Sequence, residues 1–194
     1  MKDPLLYRLL RPILVFGFKI LYWPKFFNKN IILKKGRVLL AGTHISKKDP
    51  FILASSTKRC VHFLTKDELT RIWPAFFKAT GAISVNRRIK DKSVIPAAVA
   101  KLNEDRLIGI FPEGTINRTD EVIMPFKPGV IKMAIESGSP IIPFAITGEY
   151  KLFRGRVKII FGQPYNPKTD DITNEIKVLE NKVKKILKEG NDNE

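Results

Sequence analysis

Short hydrophobic runs alternate with amphipathic stretches along most of the chain. Runs of four to eight apolar residues between turn residues indicate buried strands, and apolar positions three or four residues apart indicate helices. Strands are predicted at residues 37–42, 60–65, 82–86, 106–111, 140–146 and 157–161. Helices are predicted at residues 50–57, 67–79, 91–103, 128–137 and 171–189. The alternation predicts one α/β domain over residues 31–190, with a mixed, largely parallel central sheet flanked by helices.

Several predicted helices carry recognisable end signals. Asp49 and Pro50 suit an N-cap followed by proline in the first turn, and Pro128 suits a helix start in the same way. Gly138 suits a helix end, because glycine readily adopts the left-handed conformation found there. The last helix carries apolar residues at helical spacing opposite lysines and glutamates, which is typical of a helix packed on a core.

The N-terminal residues 1–30 differ from the rest, because residues 4–27 are almost continuously apolar. Arg8, Arg11 and Lys19 interrupt the run, and each charge at the bilayer centre costs at least about 3 kcal/mol on insertion scales. At about 100° per residue these charges share one helix face, and Pro12 is expected to kink or restart the helix. The pattern favours an amphipathic segment lying in the membrane interface over a spanning helix. The alternative is a helix packed into the core of the domain.

The amino-acid composition limits the kinds of partner that the protein is expected to bind. The chain has 194 residues and a net charge of +16, which calls for an anionic partner. The basic residues are spread along the whole chain without a nucleic-acid recognition motif, so an anionic membrane or a phosphorylated substrate is favoured and no nucleic acid is expected. Cys60 is the only cysteine, which excludes an intrachain disulfide and a cysteine-rich zinc site. We expect Cys60 to be a small buried residue and expect no metal site.

The stretch THISKKDP contains a candidate catalytic pair. His44 follows the apolar run VLLAG and should lie where a strand leaves the sheet, the region where open α/β sheets bind ligands. In a continuous helix His44 and Asp49 would point about 140° apart, so the turn between them must fold back for the side chains to meet. If they meet, the carboxylate holds one ring nitrogen and leaves the other as a base. Otherwise Asp49 is a helix cap and His44 a polar loop residue.

Other polar groups follow predicted strands in the same way. Lys66 begins KDEL, Arg87 lies in GAISVNRR, and Glu113 lies in FPEGT. Two further islands are FKPG at residues 126–129 and SPIIPF at residues 139–144. Because the carboxyl ends of parallel strands meet at one edge of a sheet, these groups are expected to line the rim of one pocket.

In their order and spacing, these islands resemble the four sequence blocks of glycerolipid acyltransferases. Of that group, the bacterial 1-acylglycerol-3-phosphate acyltransferases (lysophosphatidic acid acyltransferases) are the most similar, over about residues 36–165. The resemblance implies that His44 is the general base on the acceptor hydroxyl and that Asp49 orients its imidazole. The hydroxyl oxygen then attacks the thioester of acyl-CoA or an acyl carrier protein directly, with no cofactor.

The resemblance also implies the binding residues. Lys66 and Arg87 are expected to bind the acceptor phosphate, Glu113 the glycerol backbone, and Pro143 to line the pocket. Gly114 is expected to let the main chain approach the substrate. The remaining expected substrate contacts are Thr115 and Lys127. The implied partners are a lysophospholipid and the anionic cytoplasmic face of a membrane, to which the enzyme is peripherally or monotopically bound.

The sequence departs from the family pattern at three positions. Thr43 replaces a frequent asparagine, Asn86 a frequent aspartate, and Ile116 an arginine that usually binds phosphate. Arg118 or Lys127 would then have to supply the missing cation, or the acceptor carries another head group. The missing arginine keeps open an acyltransferase for another lysophospholipid or lyso-aminolipid. A non-catalytic protein that binds polyanions or membranes stays open as well, since the basic charge alone fits it.

Overall fold

A computed structural model describes residues 5–72, 74, 81–85, 92–168 and 171–191 of the chain. The described helices are α1 (Leu5–Tyr22), α2 (Asp49–Ser56), α3 (Asp67–Ile72), α4 (Val94–Asn103), α5 (Gly129–Ser137) and α6 (Ile172–Asn191). The described strands are β1 (Lys25–Phe27), β2 (Val38–Gly42), β3 (Val61–Lys66), β4 (Ile83–Val85), β5 (Leu107–Ile110), β6 (Ile141–Thr147) and β7 (Lys158–Phe161).

These strands form one sheet in the order β1-β7-β6-β2-β5-β3-β4. All neighbouring strands are parallel except β6 and β7, which pair antiparallel with Phe144 opposite Phe161. The predicted mixed, largely parallel α/β domain is therefore confirmed. Since β6, β2, β5, β3 and β4 run the same way, the segments that follow them emerge at one edge of the sheet.

Helices cover both faces of the sheet, because residues along the central strands alternate between two cores. On β2, Val38 and Leu40 face a core that includes Phe18 of α1 and Ile52 of α2. Leu39 and Ala41 face the opposite core, which is built with α4, α5 and α6. Burial on both faces explains why β2 is apolar throughout instead of alternating with polar residues.

Helix α1 packs on the domain through one narrow face. Tyr7, Arg11, Phe18 and Tyr22 fall within a sector of about 60° around the helix, and both Tyr7 and Phe18 are buried. Arg11 donates to the carbonyls of Ala54, at 3.1 Å, and of Thr57, at the end of α2. Of the three charges predicted to share one helix face, Arg11 therefore packs on the domain, where its guanidinium satisfies carbonyls left open at the end of α2.

The structure differs from the predicted elements at several ends. Helix α1 continues through Pro12 without restarting, and residues 25–27 form a strand, β1, that the sequence pattern did not predict. Asp49 is the first residue of α2 and not its N-cap, since Lys48 occupies that position. Gly138 ends α5 in the left-handed conformation, as predicted. The predicted helix over 67–79 is described only to Ile72, and its remainder lies almost wholly outside the described residues.

Candidate active site

The site begins where β2 ends beside β6. A Cβ on Gly42 would lie 2.0 Å from the Phe144 carbonyl oxygen, so only glycine permits this close approach. The next residue, Thr43, is buried, and its hydroxyl accepts from the Ile146 amide at 2.8 Å and lies 3.3 Å from the Ile146 carbonyl. Thr43 thereby extends the bonding between β2 and β6 by one residue. This contact fixes the point at which His44 leaves the sheet.

His44 and Asp49 meet, as the first interpretation of their spacing requires. His44 Nδ1 lies 2.7 Å from Asp49 Oδ2, and the same oxygen accepts from the amides of Ile45, at 2.7 Å, and Ser46, at 2.8 Å. These bonds fold residues 44–49 back into a tight turn. The carboxylate therefore does not cap its own helix, which removes the alternative in which Asp49 is only a helix cap. The fixed carboxylate holds Nδ1 and leaves Nε2 as the nitrogen available for chemistry.

The segment that follows β5, which includes FPEGT, forms hydrogen bonds with the main chain of His44. The His44 amide donates to Glu113 Oε1 at 2.7 Å, and the His44 carbonyl accepts from the Asn117 amide at 2.8 Å. Glu113 Oε2 accepts from the Met124 amide at 2.9 Å, and the side chain is buried. Burial raises the pKa of the Glu113 carboxyl above its ordinary value, although the two amide donors oppose that shift. In this structure Glu113 contacts main chain, and its predicted contact with glycerol stays a prediction.

Two aromatic side chains complete the surroundings of the pair. The His44 ring stacks on the Phe111 ring with centroids 4.2 Å apart and planes inclined by 17°. Tyr150, which follows β6, donates its hydroxyl to Asp49 Oδ1 at 2.7 Å. The Asp49 side chain is completely buried, whereas 17% of the His44 side chain is exposed. The imidazole is thus held at Nδ1 by Asp49 and on one ring face by Phe111, while part of its surface remains open to a substrate.

The turn at Gly114 brings a cation to the same edge. Gly114 has a φ of +75°, which favours glycine, and its amide donates to the Phe111 carbonyl at 2.9 Å. A Cβ at Gly114 would lie 2.5 Å from Lys127 Nζ, so the lysine side chain crosses directly over the glycine. The Lys127 amide donates to the Pro112 carbonyl at 2.9 Å, which anchors FKPG against FPEGT. Thr115, the next predicted contact, is exposed beside this turn.

The main chain of Lys66, one of the two predicted phosphate ligands, lies further along the sheet. Lys66 is the last residue of β3, where its Cα pairs with that of Val85 at the end of β4. Because β5 lies between β2 and β3, the main chain of Lys66 is about 10 Å from that of β2. Arg87 and Asn86 lie outside the described residues. Pro143 lies on β6 opposite Ala41 of β2.

Sequence reasoning missed two residues that hold the pair. Asn117 binds the His44 carbonyl, and its Oδ1 accepts from Thr119, which shapes the loop after FPEGT. Tyr150 is separated from Asp49 by 101 positions, and no local pattern connects the two. Cys60 is buried, as predicted. Across the ranges that the structure describes, no three His, Cys, Asp or Glu side chains lie together as candidate metal ligands.

A histidine fixed by a buried carboxylate at the carboxyl edge of an α/β sheet is suited to general base chemistry. Comparison with known proteins identifies the family. A family model described as Acyltransferase matches residues 24–147. The 1-acyl-sn-glycerol-3-phosphate acyltransferase of Borreliella burgdorferi is 37% identical over 130 residues, which span 63% of this chain and 50% of that protein. The protein of the same name from Bacillus subtilis is 29% identical over 183 residues, covering 84% of this chain and 90% of that one.

A solved structure shares the fold. The 1-acyl-sn-glycerophosphate (LPA) acyltransferase PlsC from Thermotoga maritima superimposes with a TM-score of 0.74 at 20% sequence identity, over 97% of this chain and 83% of that one. The chain belongs to the acyltransferase family. It is an acyltransferase enzyme, related to proteins named for acylation of 1-acyl-sn-glycerol-3-phosphate.

Proposed function

We propose that this protein transfers a fatty acyl group from an acyl thioester to the free hydroxyl of 1-acylglycerol-3-phosphate, which yields phosphatidate. The observation that chiefly supports this reaction is the His44–Asp49 pair, with Nδ1 and Oδ2 2.7 Å apart. A thioester is already activated toward attack, so the main chemical need is a base for the attacking alcohol. A positioned imidazole supplies this at neutral pH and typically contributes a factor of roughly 10²–10⁴ in rate.

In this mechanism Nε2 of His44 accepts the proton of the acceptor hydroxyl while its oxygen bonds to the thioester carbonyl carbon. The carbon–sulfur bond then breaks, and the departing thiolate takes the proton from the imidazole, which restores the neutral base. Asp49 stabilises the cationic imidazole between the two steps, and its burial strengthens that interaction. The donor is acyl-CoA or an acyl carrier protein, and no acyl group is attached to the enzyme.

The acceptor phosphate is proposed to bind on the β3–β4 side of His44, with Lys66 and Arg87 as its ligands. Fixed cations suit a dianionic head group, and arginine offers a planar fork of donors for it. Lys127 adds a cation at the Gly114 turn, where its Nζ crosses over the glycine. This position compensates for Ile116, which stands where related sequences often have an arginine. The geometry thus favours a phosphate-bearing acceptor over an uncharged one.

The acyltransferase is proposed to lie on the cytoplasmic face of a membrane through α1. Leu9, Ile13, Phe16 and Ile20 are 59%, 70%, 69% and 44% exposed. They fall within about 60° of one another, opposite the face that packs on the domain.

Exposed Leu152 and Phe153 adjoin the end of this helix, since the Phe153 amide donates to the Leu21 carbonyl at 2.7 Å. Such a contiguous apolar surface is typical of an interfacial contact. No helix in the described part of the chain is long and apolar enough to span a bilayer.

The function is tested with purified protein and a panel of acceptors. We expect acylation of 1-acylglycerol-3-phosphate with acyl-CoA or acyl carrier protein, and little acylation of monoacylglycerol or lysophosphatidylcholine. Lys66→Ala and Arg87→Ala should each raise the KM for the phosphate acceptor roughly tenfold, because each removes a charged hydrogen bond. Lys132→Ala, an exposed lysine on α5, is the control and should leave this KM unchanged. Preference for another lysolipid would show that the acceptor carries a different head group. Absence of acyl transfer from every donor would refute the proposed function.

The membrane proposal is tested by vesicle sedimentation. The double variant Ile13→Glu/Phe16→Glu should reduce partitioning onto anionic vesicles by roughly 10²-fold or more, since burial of each side chain contributes about 2 kcal/mol. The control is Ala97→Glu/Ala100→Glu, which makes the same charge change at two exposed positions of α4 on the opposite face of the sheet. Equal losses in both doubles would show that net charge alone governs binding, which would contradict a contact through α1.

A further inference from the structure

Asp49 has a partner that lies far from it in the sequence. The Tyr150 hydroxyl donates to Asp49 Oδ1 at 2.7 Å, on the oxygen that His44 does not use. The two carboxylate oxygens are thereby divided between partners, because Oδ2 accepts from His44 and from two amides of the turn. The bond from Tyr150 is the one described side-chain bond that restrains Oδ1.

The chain is built to deliver Tyr150 to this position. Gly148 directly follows β6 and has a φ of +77°. A Cβ there would lie 2.0 Å from the Arg156 carbonyl oxygen, so the chain can turn here only with glycine. The turn carries Tyr150 back across the carboxyl end of β2, toward the start of α2.

The Tyr150 ring is held by α1. Its centroid lies 5.7 Å from that of Tyr22 in an edge-to-face arrangement and 6.2 Å from that of Phe18. Lys48 Nζ lies 5.6 Å from the centroid of the Tyr150 ring and 5.5 Å from that of Tyr22. These contacts fix the ring plane, and with it the direction in which the hydroxyl points. Burial, and then the charge of Asp49, raise the pKa of Tyr150, so the hydroxyl keeps its proton and remains a donor.

We propose that Tyr150 is a positioning residue of the acyltransferase, which locks the Asp49 carboxylate in the orientation that holds His44. Tyr150 does not contact the reacting atoms and acts only through Asp49. This inference rests on the proposed role of the His44–Asp49 pair. It adds that the helix proposed to contact the membrane also supports the catalytic carboxylate, through the Tyr22 and Phe18 rings.

Steady-state kinetics of Tyr150→Phe test the proposal, because phenylalanine keeps the ring packing and removes only the hydroxyl. We expect kcat to fall roughly 10- to 100-fold, as the loss of a hydrogen bond to a charged group predicts, with both KM values unchanged. Tyr165→Phe is the matched control, since Tyr165 is paired with Ile141 at the sheet and its ring lies beneath Lys182. A kcat within twofold of the wild-type value, or a loss confined to KM, would overturn the proposal.

A spectroscopic measurement separates this inference from the proposed function, because it needs no turnover. The chain has two histidines, so ¹⁵N-histidine labelling gives a simple spectrum in which His44→Ala assigns the His44 signals. We expect a downfield Nδ1–H signal from the His44–Asp49 bond that is sharp in the wild type and in Tyr165→Phe. In Tyr150→Phe it should be broadened by faster exchange with water. An unchanged signal in Tyr150→Phe would refute the positioning role even if the enzyme proved to use another acceptor.

Discussion

Replacement of His44 with alanine should lower kcat for acyl transfer by roughly 10³-fold and leave the fold intact. The large effect is expected because alanine leaves no base at the position of Nε2, which accepts the proton of the acceptor hydroxyl. The fold should persist because His44 is bound to the FPEGT segment through its main chain. The amide bond to Glu113 and the carbonyl bond from Asn117 do not depend on the imidazole.

The measurement is kcat and KM for both substrates, with circular dichroism and vesicle binding recorded on the same preparation. Lys47→Ala is the control, since Lys47 is an exposed residue of the same turn. Activity of His44→Ala within about tenfold of the wild-type value would contradict general base catalysis by this residue. Mass spectrometry of wild-type protein mixed with donor alone should show no added acyl group, since transfer is direct.

Asp49→Asn should reduce kcat by roughly 10²–10⁴-fold, and the reason follows from the arrangement of donors around the carboxylate. The amides of Ile45 and Ser46 both point at Oδ2, so the asparagine carbonyl oxygen must take that position and can still accept from His44. The asparagine amide group then faces Tyr150, whose hydroxyl can turn and accept. The hydrogen bonds thus survive in neutral form, and the variant loses chiefly the negative charge that stabilises the cationic imidazole.

The same geometry predicts the change in stability. Charged hydrogen bonds contribute more than neutral ones, so the free energy of unfolding of Asp49→Asn should fall by about 3 kcal/mol. Denaturant titration measures this loss. The control is Asp105→Asn, because Asp105 is exposed and has a φ of 57°, which asparagine tolerates equally well. Nearly normal kcat in a folded Asp49→Asn would mean that orientation of His44 matters and the charge does not.

The elements that the sequence predicted best are those whose cause is local. Apolar runs located six of the seven described strands to within one or two residues, and burial on both faces explains unbroken apolar runs such as that of β2. The αL conformation of Gly138 followed from the residue type. Strand β1 was missed because its pairing with β7 joins Lys25 to Lys158, a contact between distant parts of the chain. The docking of Arg11 on the end of α2 was missed for the same reason.

For the site, the sequence predicted which residue types take part and at which edge of the sheet they lie. The order of His44, Lys66, Glu113 and the FKPG segment at strand ends was enough to indicate an acyltransferase, and family membership confirms that class. It did not reveal how Glu113 is used, because bonds from the amides of His44 and Met124 depend on how two loops meet. Nor did it show that Lys127 crosses over Gly114.

By itself the sequence determined the α/β class and the reaction class, because these depend on periodicity and on ordered motifs, and it predicted the pair. Only the tertiary structure decided whether His44 and Asp49 meet. A spacing of five residues suits a helix cap as well as a folded-back turn, and the bonds to Oδ2 select the turn. The contact between Tyr150 and Asp49 depends on tertiary structure alone. Their 101-residue separation is closed by parallel pairing of β2 with β6 and by the turn at Gly148, neither of which a local pattern encodes.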